Sequence, residues 1–360
     1  MRTAFGLATV AGFLTVLLGG FPAAAADLYT VKGVHVDETA QSASAARTVA
    51  QAKAQQIALG ELLKRLTLPE DWPSLPQADA RTASDAVRGF AVASEKTSST
   101  RYIADLNVSF QPDTVRRMLR ARNIAYGETQ AKPAVLLAVL DKPGARLLWE
   151  DQNPWRDAWA SVDLADAMTP LIMPMGDVQE FTTVTAAQAV GGDKSALATL
   201  AARYGTDEVV VAQGVTDATG SKLDVTVTRY DASGAATPIR KTFQGTGQGD
   251  DAFAALARTA AASSLTALGE PWKRETVVKA GEKAELTAAV FFSGLDQWET
   301  IRKALGNAAL VEGMQVEGIA ANGAEVQINY RGTPDKLALS LAQSNIALAQ
   351  DPDGWSLRLK

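Results

Sequence analysis

The stretch LVEGMQVEGIAANGAEVQINY, residues 310–330, decides the fold of the last third of the chain. Two β-rich runs, 310–319 and 324–330, flank Asn322-Gly323. Asn-Gly tolerates the two left-handed central positions of a tight hairpin turn better than most pairs. Working outward, residues 286–292 read as a strand and 295–305 as a helix. Downstream, Thr333 is placed to cap a helix whose first position is Pro334, where no N–H is needed, with Leu337, Ala338 and Leu341 on its buried side. A final strand spans 346–359 with a bend at Asp353-Gly354. The order βαββαβ predicts a ferredoxin-like split sandwich, a module that usually serves in docking.

The middle of the chain opens after Lys132-Pro133 with residues 134–140, an almost unbroken apolar run of the kind that lies inside a sheet. Asn153 and Pro154 mark a helix start, and Trp155 and Trp159 follow at i and i+4. Residues 195–204 predict a helix. Residues 208–213, 222–230 and 239–244 predict a meander joined by Gly and Asp turns, and 250–268 an Ala-rich closing helix. This order is similar to that of small α/β domains of periplasmic accessory proteins, a likeness of fold alone.

Toward the N-terminus, residues 28–36 predict a strand with Val34 and Val36 on one face and Gly33, His35 and Asp37 on the other. A helix starting at Ser42 or Ser44 and running to Leu66 would bury Ala45, Ala52, Leu59, Leu62, Leu63 and Leu66. Residues 69–76 predict a loop, 90–98 with 100–110 a hairpin, and 112–123 another helix. Ahead of all this stand Met1-Arg2, an apolar run at 4–21, Pro22 and Ala24-Ala25-Ala26. A charged start, a short apolar core and a small-residue cleavage site make a secretory signal peptide, so the mature chain is expected to begin at Asp27.

Val36-Asp37, Thr39-Ala40, Ser42-Ala43, Ala46-Arg47, Ala50, Ala54-Gln55, Ala58 and Leu62-Leu63-x-Arg65-Leu66 resemble the leading motif of an uncharacterised bacterial envelope family, a domain of unknown function (number 2066). The likeness is strongest over residues 27–127. The segment from Tyr330-Arg331-Gly332 to Gly354-Trp355 is similar in pattern to the end of such proteins. The resemblance implies an envelope location and brings no catalytic residues with it.

The chain has no cysteine, so an exported protein of this length must rely on its hydrophobic cores, for which a 47% hydrophobic fraction is ample. Its formal net charge of −5 is interspersed rather than blocked, which points away from nucleic acid and from anionic membranes. With a single histidine, His35, zinc sites built on His or Cys are excluded, and there is no Cys nucleophile. A Ser-His-Asp site would need His35, but no nucleophile elbow is present. Gly245-Thr246-Gly247-Gln248-Gly249 superficially resembles a phosphate loop, yet it lacks the Lys-Ser/Thr. Asp250 and Asp251 at the following helix start would also repel an anion.

Glu150-Asp151 and Asp163 with Asp166 are the carboxylate pairs open to glycosidase or calcium chemistry, with solvated surface the commoner role. An exposed Trp155-Trp159 ridge would be a protein-binding surface, whereas core packing is the commoner use of such residues. The composite expectation is an α+β, multi-domain protein: 1–26 signal peptide, 27–127 and 133–269 α/β domains, and 271–360 a ferredoxin-like domain. Its expected function is that of a non-enzymatic periplasmic binding or assembly protein, with no catalytic residue, cofactor or metal and with other envelope proteins as partners. A cell-wall hydrolase or transferase using acidic residues, and a subunit of an envelope ring or secretion assembly, are the competing expectations.

Overall fold

The computed structural model describes residues 27–360 apart from Gln248 and Ala280, and the expected signal peptide lies outside the described residues. The protein is α+β, built on three sheets, each with its own hydrophobic core.

The first unit contains β1 (Thr30–Thr39), α1 (Ala43–Leu66), a 3₁₀ turn at Pro69–Ser74, α2 (Ala80–Ala86), β2 (Val87–Thr97), β3 (Arg101–Phe110) and α3 (Pro112–Ala121). Its antiparallel sheet has the order β1-β3-β2. Alternation puts Tyr102, Ala104, Leu106, Val108 and Phe110 of β3 on the buried face, under α1. Ser42 caps α1 by accepting from the Ala45 N–H. The buried stripe of α1 begins with Ala46, Ala50, Ala54 and Ala58 rather than Ala45 and Ala52, and continues through Leu59, Leu62, Leu63 and Leu66. Small residues at strict i, i+4 spacing let the first half of the helix lie close on the sheet, and the leucines fill the wider space beyond. The Pro69–Ser74 stretch is a 3₁₀ turn where a loop was expected.

The second unit contains β4 (Ala134–Lys142), β5 (Ala145–Leu147), α4 (Pro154–Ala160), β6 (Leu171–Ile172), α5 (Val178–Thr183), α6 (Ala186–Gly191), α7 (Lys194–Arg203), β7 (Val209–Thr216), β8 (Lys222–Asp231), β9 (Gly234–Ala235), β10 (Ile239–Gln244) and α8 (Asp250–Thr276). Its main sheet order is β10-β8-β7-β4-β5, with β6 pairing β4 and β9 pairing β8. The apolar strand β4 is covered on both faces: one packs against α4 and α8, the other against α6 and α7.

The third unit contains β11 (Lys283–Phe291), α9 (Leu295–Asn307), β12 (Val311–Ile319), β13 (Gly323–Arg331), α10 (Pro334–Ala342), β14 (Ile346–Asp351) and β15 (Gly354–Leu359). β12 and β13 pair antiparallel as the expected hairpin, but its turn is longer than a two-residue one. Ile319 pairs with Ala324, Gly323 already belongs to β13, and neither Asn322 nor Gly323 is left-handed; β13 also pairs β11. The expected single last strand is instead a hairpin folded at Asp353-Gly354, where Gly354 takes φ +131°. β15 lies parallel to β11 and pushes β14 to the edge, giving the order β12-β13-β11-β15-β14. The ferredoxin-like element order therefore carries one extra strand.

One helix crosses the boundary expected between residues 269 and 271, and side chains link the units across it. α8 runs through Pro271 to Thr276, into the expected third domain. A proline inside a helix removes one hydrogen bond, and side chains just beyond it fasten the helix from outside. Trp272 Nε1 donates to Thr129 O (2.7 Å), and Lys273 Nζ donates to Lys64 O (3.2 Å) and Thr67 O (2.8 Å), the carbonyls left open at the C-terminal end of α1.

The segment 126–132 is likewise pinned. Tyr126 bridges Val278, the Gly127 N–H donates to Leu66 O (2.9 Å), the Ala131 N–H to Met168 O (2.9 Å) and the Lys132 N–H to Gln343 Oε1 (2.9 Å). Beside it Glu128 is buried between Arg116 Nε and Arg331 Nη2, both 2.8 Å away, and accepts from the Tyr29 hydroxyl. One carboxylate thus joins the first unit to the third.

Candidate functional site

A cleft of about 470 Å³ lies between the first two units. One wall is the C-terminal half of α1, where Glu61, Lys64 and Arg65 share a face by their i, i+3, i+4 spacing. The opposite wall is α8, which presents Ala262, Ser263, Leu265, Thr266 and Gly269. β1 contributes Val31 and Lys32, the loop at 161–168 contributes Val162, Asp163 and Met168, and Trp72 and Lys273 complete the lining.

Asp163 and Asp166, expected to be solvated, face these cations. Asp166 is 1% exposed. Lys32 Nζ stands 2.7 Å from Asp166 Oδ2 and 3.9 Å from Asp163 Oδ1. Contact with Asp166 raises the Lys32 ammonium above its ordinary value. Arg65 donates from Nη1 to Leu28 O (3.1 Å) and Thr30 O (2.8 Å), which fixes its guanidinium against the start of β1 and leaves Nη2 3.9 Å from Asp163 Oδ2. Burial, reinforced by the neighbouring Asp166 charge, pushes the Asp163 carboxyl above the usual range in spite of these two cations. Burial pushes the Lys273 ammonium down, consistent with an amine held by two carbonyls with no carboxylate in salt-bridge range.

Three polar atoms around the cleft are buried without a hydrogen-bond partner among the described residues: Trp72 Nε1, Asp163 Oδ2 and Asp166 Oδ2, the last in ion-pair contact with Lys32. Lys64 Nζ lies 5.4 Å from the centroid of the Trp72 ring, in cation–π range. The lining holds four cations, Lys32, Lys64, Arg65 and Lys273, against two carboxylates, Glu61 and Asp163.

The other sequence candidates lie elsewhere. Trp155 and Trp159 form no surface: both are 0% exposed, packed edge-to-face with ring centroids 5.6 Å apart, and Trp155 Nε1 donates to Ala212 O (2.8 Å). The one-turn spacing that suggested a ridge places both rings on the sheet-facing side of α4, beneath α8. His35 is exposed on the outer face of the first sheet, its Nδ1 2.8 Å from Asp105 Oδ1. Ser94 Oγ donates to the other oxygen of Asp105 (2.7 Å), so the carboxylate sits in the middle and the imidazole does not receive the serine proton.

Gly249 opens α8 with φ +90°, and Asp250 and Asp251 fill its first turn. Glu150 closes a local turn by accepting the Leu148 N–H (2.6 Å). Among the described residues no cluster of three or more His, Asp or Glu side chains is arranged to hold a metal ion, and no helix is long and apolar enough to cross a membrane. The cleft itself was hidden in the sequence, because Lys32 and Arg65 lie about a hundred positions from the carboxylates they face.

Residues 24–128 match a family described as a domain of unknown function (DUF8605), a different number from the 2066 suggested by the leading motif. The matched stretch supplies the α1 wall, β1 and Trp72, and the α8 wall lies outside it. No curated protein and no solved structure matches the chain.

Proposed function

We propose that this chain is a non-enzymatic binding or assembly protein exported to the bacterial cell envelope, and that the cleft between α1 and α8 is where it binds. The observation that carries the reading is the chemistry of the lining. Three of its four cations, Lys32, Arg65 and Lys273, are fixed by carbonyls or opposed by carboxylates, Lys64 stands exposed over the Trp72 ring, and much of the remaining wall is apolar. Concave, mostly apolar sites with a few fixed polar groups are built for ligands. The leader-like residues 1–26 support the envelope address.

A second reading, a hydrolase working with paired carboxylates, draws support from the raised Asp163 beside Asp166. It is the weaker of the two, because both carboxylates of a glycosidase must reach the substrate, and Asp166 is buried against Lys32.

The test is fractionation of cells expressing the full chain, with N-terminal sequencing and a crosslinking pull-down from the periplasm. A periplasmic product beginning at Asp27 that captures a specific envelope component is expected. A cytoplasmic product with an intact Met1 would overturn the location, and turnover of cell-wall material lost in Asp163→Asn would favour the second reading.

A further inference from the structure

The lining of the cleft also narrows what it takes, an inference that rests on the binding role proposed for the same site. Each hydroxyl along it already makes one hydrogen bond within the protein. Thr266 Oγ1 donates to Ala262 O (3.0 Å), Ser161 Oγ donates to Ala158 O (2.7 Å), and Ser263 Oγ accepts from Lys241 Nζ (3.2 Å). Beyond the Ser263 O–H, the α8 wall therefore offers a ligand chiefly Ala262 and Leu265, and Val162 extends this apolar surface from the other side, with Val31 and Met168 packed almost wholly beneath it. A peptide laid along such a wall would bury amide groups with no partners, at a cost on the order of 1–3 kcal/mol each. A hydrocarbon chain buries none.

At the α1 side the character reverses. Lys64 is exposed and stands over Trp72, whose indole N–H is a donor without an acceptor, and Arg65 lies one residue further along the helix. A ligand oxygen at the exposed Lys64 would meet an ammonium held over the face of the Trp72 ring. Lys32 and Arg65 face Asp166 and Asp163 and Lys273 is held by carbonyls, so the exposed Lys64 is the cation that a ligand's head would meet, and it favours a negative one.

We propose that the cleft binds a small anionic amphiphile, a carboxylate on a medium-length acyl chain, with its head at Lys64 beside the Trp72 ring and its chain along Ala262, Leu265 and Val162. At about 470 Å³ the cleft lies within the volume range of small-molecule sites.

The test is calorimetric titration of the chain from Asp27 onward with decanoate, decanol, decyltrimethylammonium and a tetrapeptide with a free C-terminus, below their aggregation concentrations. Two exposed positions give variants that leave the core untouched: Lys64→Glu reverses the head site, and Ala262→Trp fills the cleft from the α8 wall. Decanoate should bind at least tenfold more tightly than the other three, with Lys64→Glu weakening it at least tenfold and Ala262→Trp abolishing it. Equal binding of decanol or the cation would overturn the anionic head, and preferential binding of the tetrapeptide would overturn the acyl body. Decanoate binding unchanged in Ala262→Trp, or absent in the wild type, would overturn the site itself. Any of these failures leaves the envelope-binding role standing if the periplasmic pull-down captures a component, so the two readings fail separately.

Discussion

Replacing Glu128 by Gln removes one negative charge from the joint between the first and third units while keeping the side chain's volume. Glu128 is buried and receives Arg116 Nε at 2.8 Å, Arg331 Nη2 at 2.8 Å and the Tyr29 hydroxyl. Removing one partner of a buried ion pair costs about 3–5 kcal/mol, because the remaining charge stays out of water without compensation. The Arg331 side chain, 11% exposed, meets that condition, whereas that of Arg116 is 29% exposed and can turn toward solvent. Gln also keeps one oxygen to accept a hydrogen bond, so the lower end applies, about 3 kcal/mol.

The charge also gives the effect a pH signature. Burial alone would push the Glu128 carboxyl up, but Arg116 and Arg331 more than offset it and hold it below the ordinary 4.5. A carboxylate depressed in the folded state stabilises above its unfolded pKa, and that stability is lost as pH falls through the folded value. Urea unfolding followed by tryptophan fluorescence should therefore show Glu128→Gln about 3 kcal/mol less stable at pH 7. The gap from wild type should narrow below about pH 4.5. A variant within about 0.5 kcal/mol of wild type at pH 7, or a gap that does not change with pH, would refute a working ion pair at this joint.

Other outcomes follow from the same structure. Trp159→Ala, which empties a fully buried site beside Trp155, should cost about 3–5 kcal/mol in chemical unfolding, where a surface ridge would lose almost nothing. Gly192→Ala should lower stability by about 1–2 kcal/mol, since Gly192 caps α6 at φ +67° and a Cβ there would stand 2.6 Å from the Tyr230 ring; a neutral result by thermal melting would contradict that geometry. Asp163→Asn should be no less stable than wild type at pH 7. The Asp163 pKa is raised on folding, so its contribution to stability is full below the unfolded value and is lost as pH rises through the folded one. Parallel melts across pH 3–8 should therefore show wild type gaining on the variant toward acid, and the opposite slope would show that Lys32 and Arg65 dominate.

What the sequence made legible was local. The β12–β13 hairpin, the Ser42 and Asn153 caps, the alternation in β3 and the buried run of β4 each follow from neighbours within a few residues, and each is present. What it hid was contact over long separations. Pro271 reads as a helix stop until Trp272 and Lys273 are seen fastened to Thr129, Lys64 and Thr67. Asp163 and Asp166 read as surface charges because Lys32 and Arg65, which change their environment, come from another unit. The last strand reads as one because Gly354 marks a bend equally well whether the chain continues or doubles back. The site was invisible for the same reason, since its two walls are 200 positions apart in the chain and its walls are mostly ordinary helix-forming residues.

The most direct test of a binding role for the α1–α8 cleft is photo-crosslinking in living cells, with a photoreactive amino acid at position 61, an exposed site on the α1 rim of the cleft, and, as a control, at position 325 on the exposed face of the C-terminal sheet. The expected result is a discrete adduct from position 61 alone, found on periplasmic protein and lost when Lys64 is changed to Glu. The same pattern from both positions, or no adduct from the cleft in cells where the protein is exported and folded, would contradict the cleft as the place where this protein works.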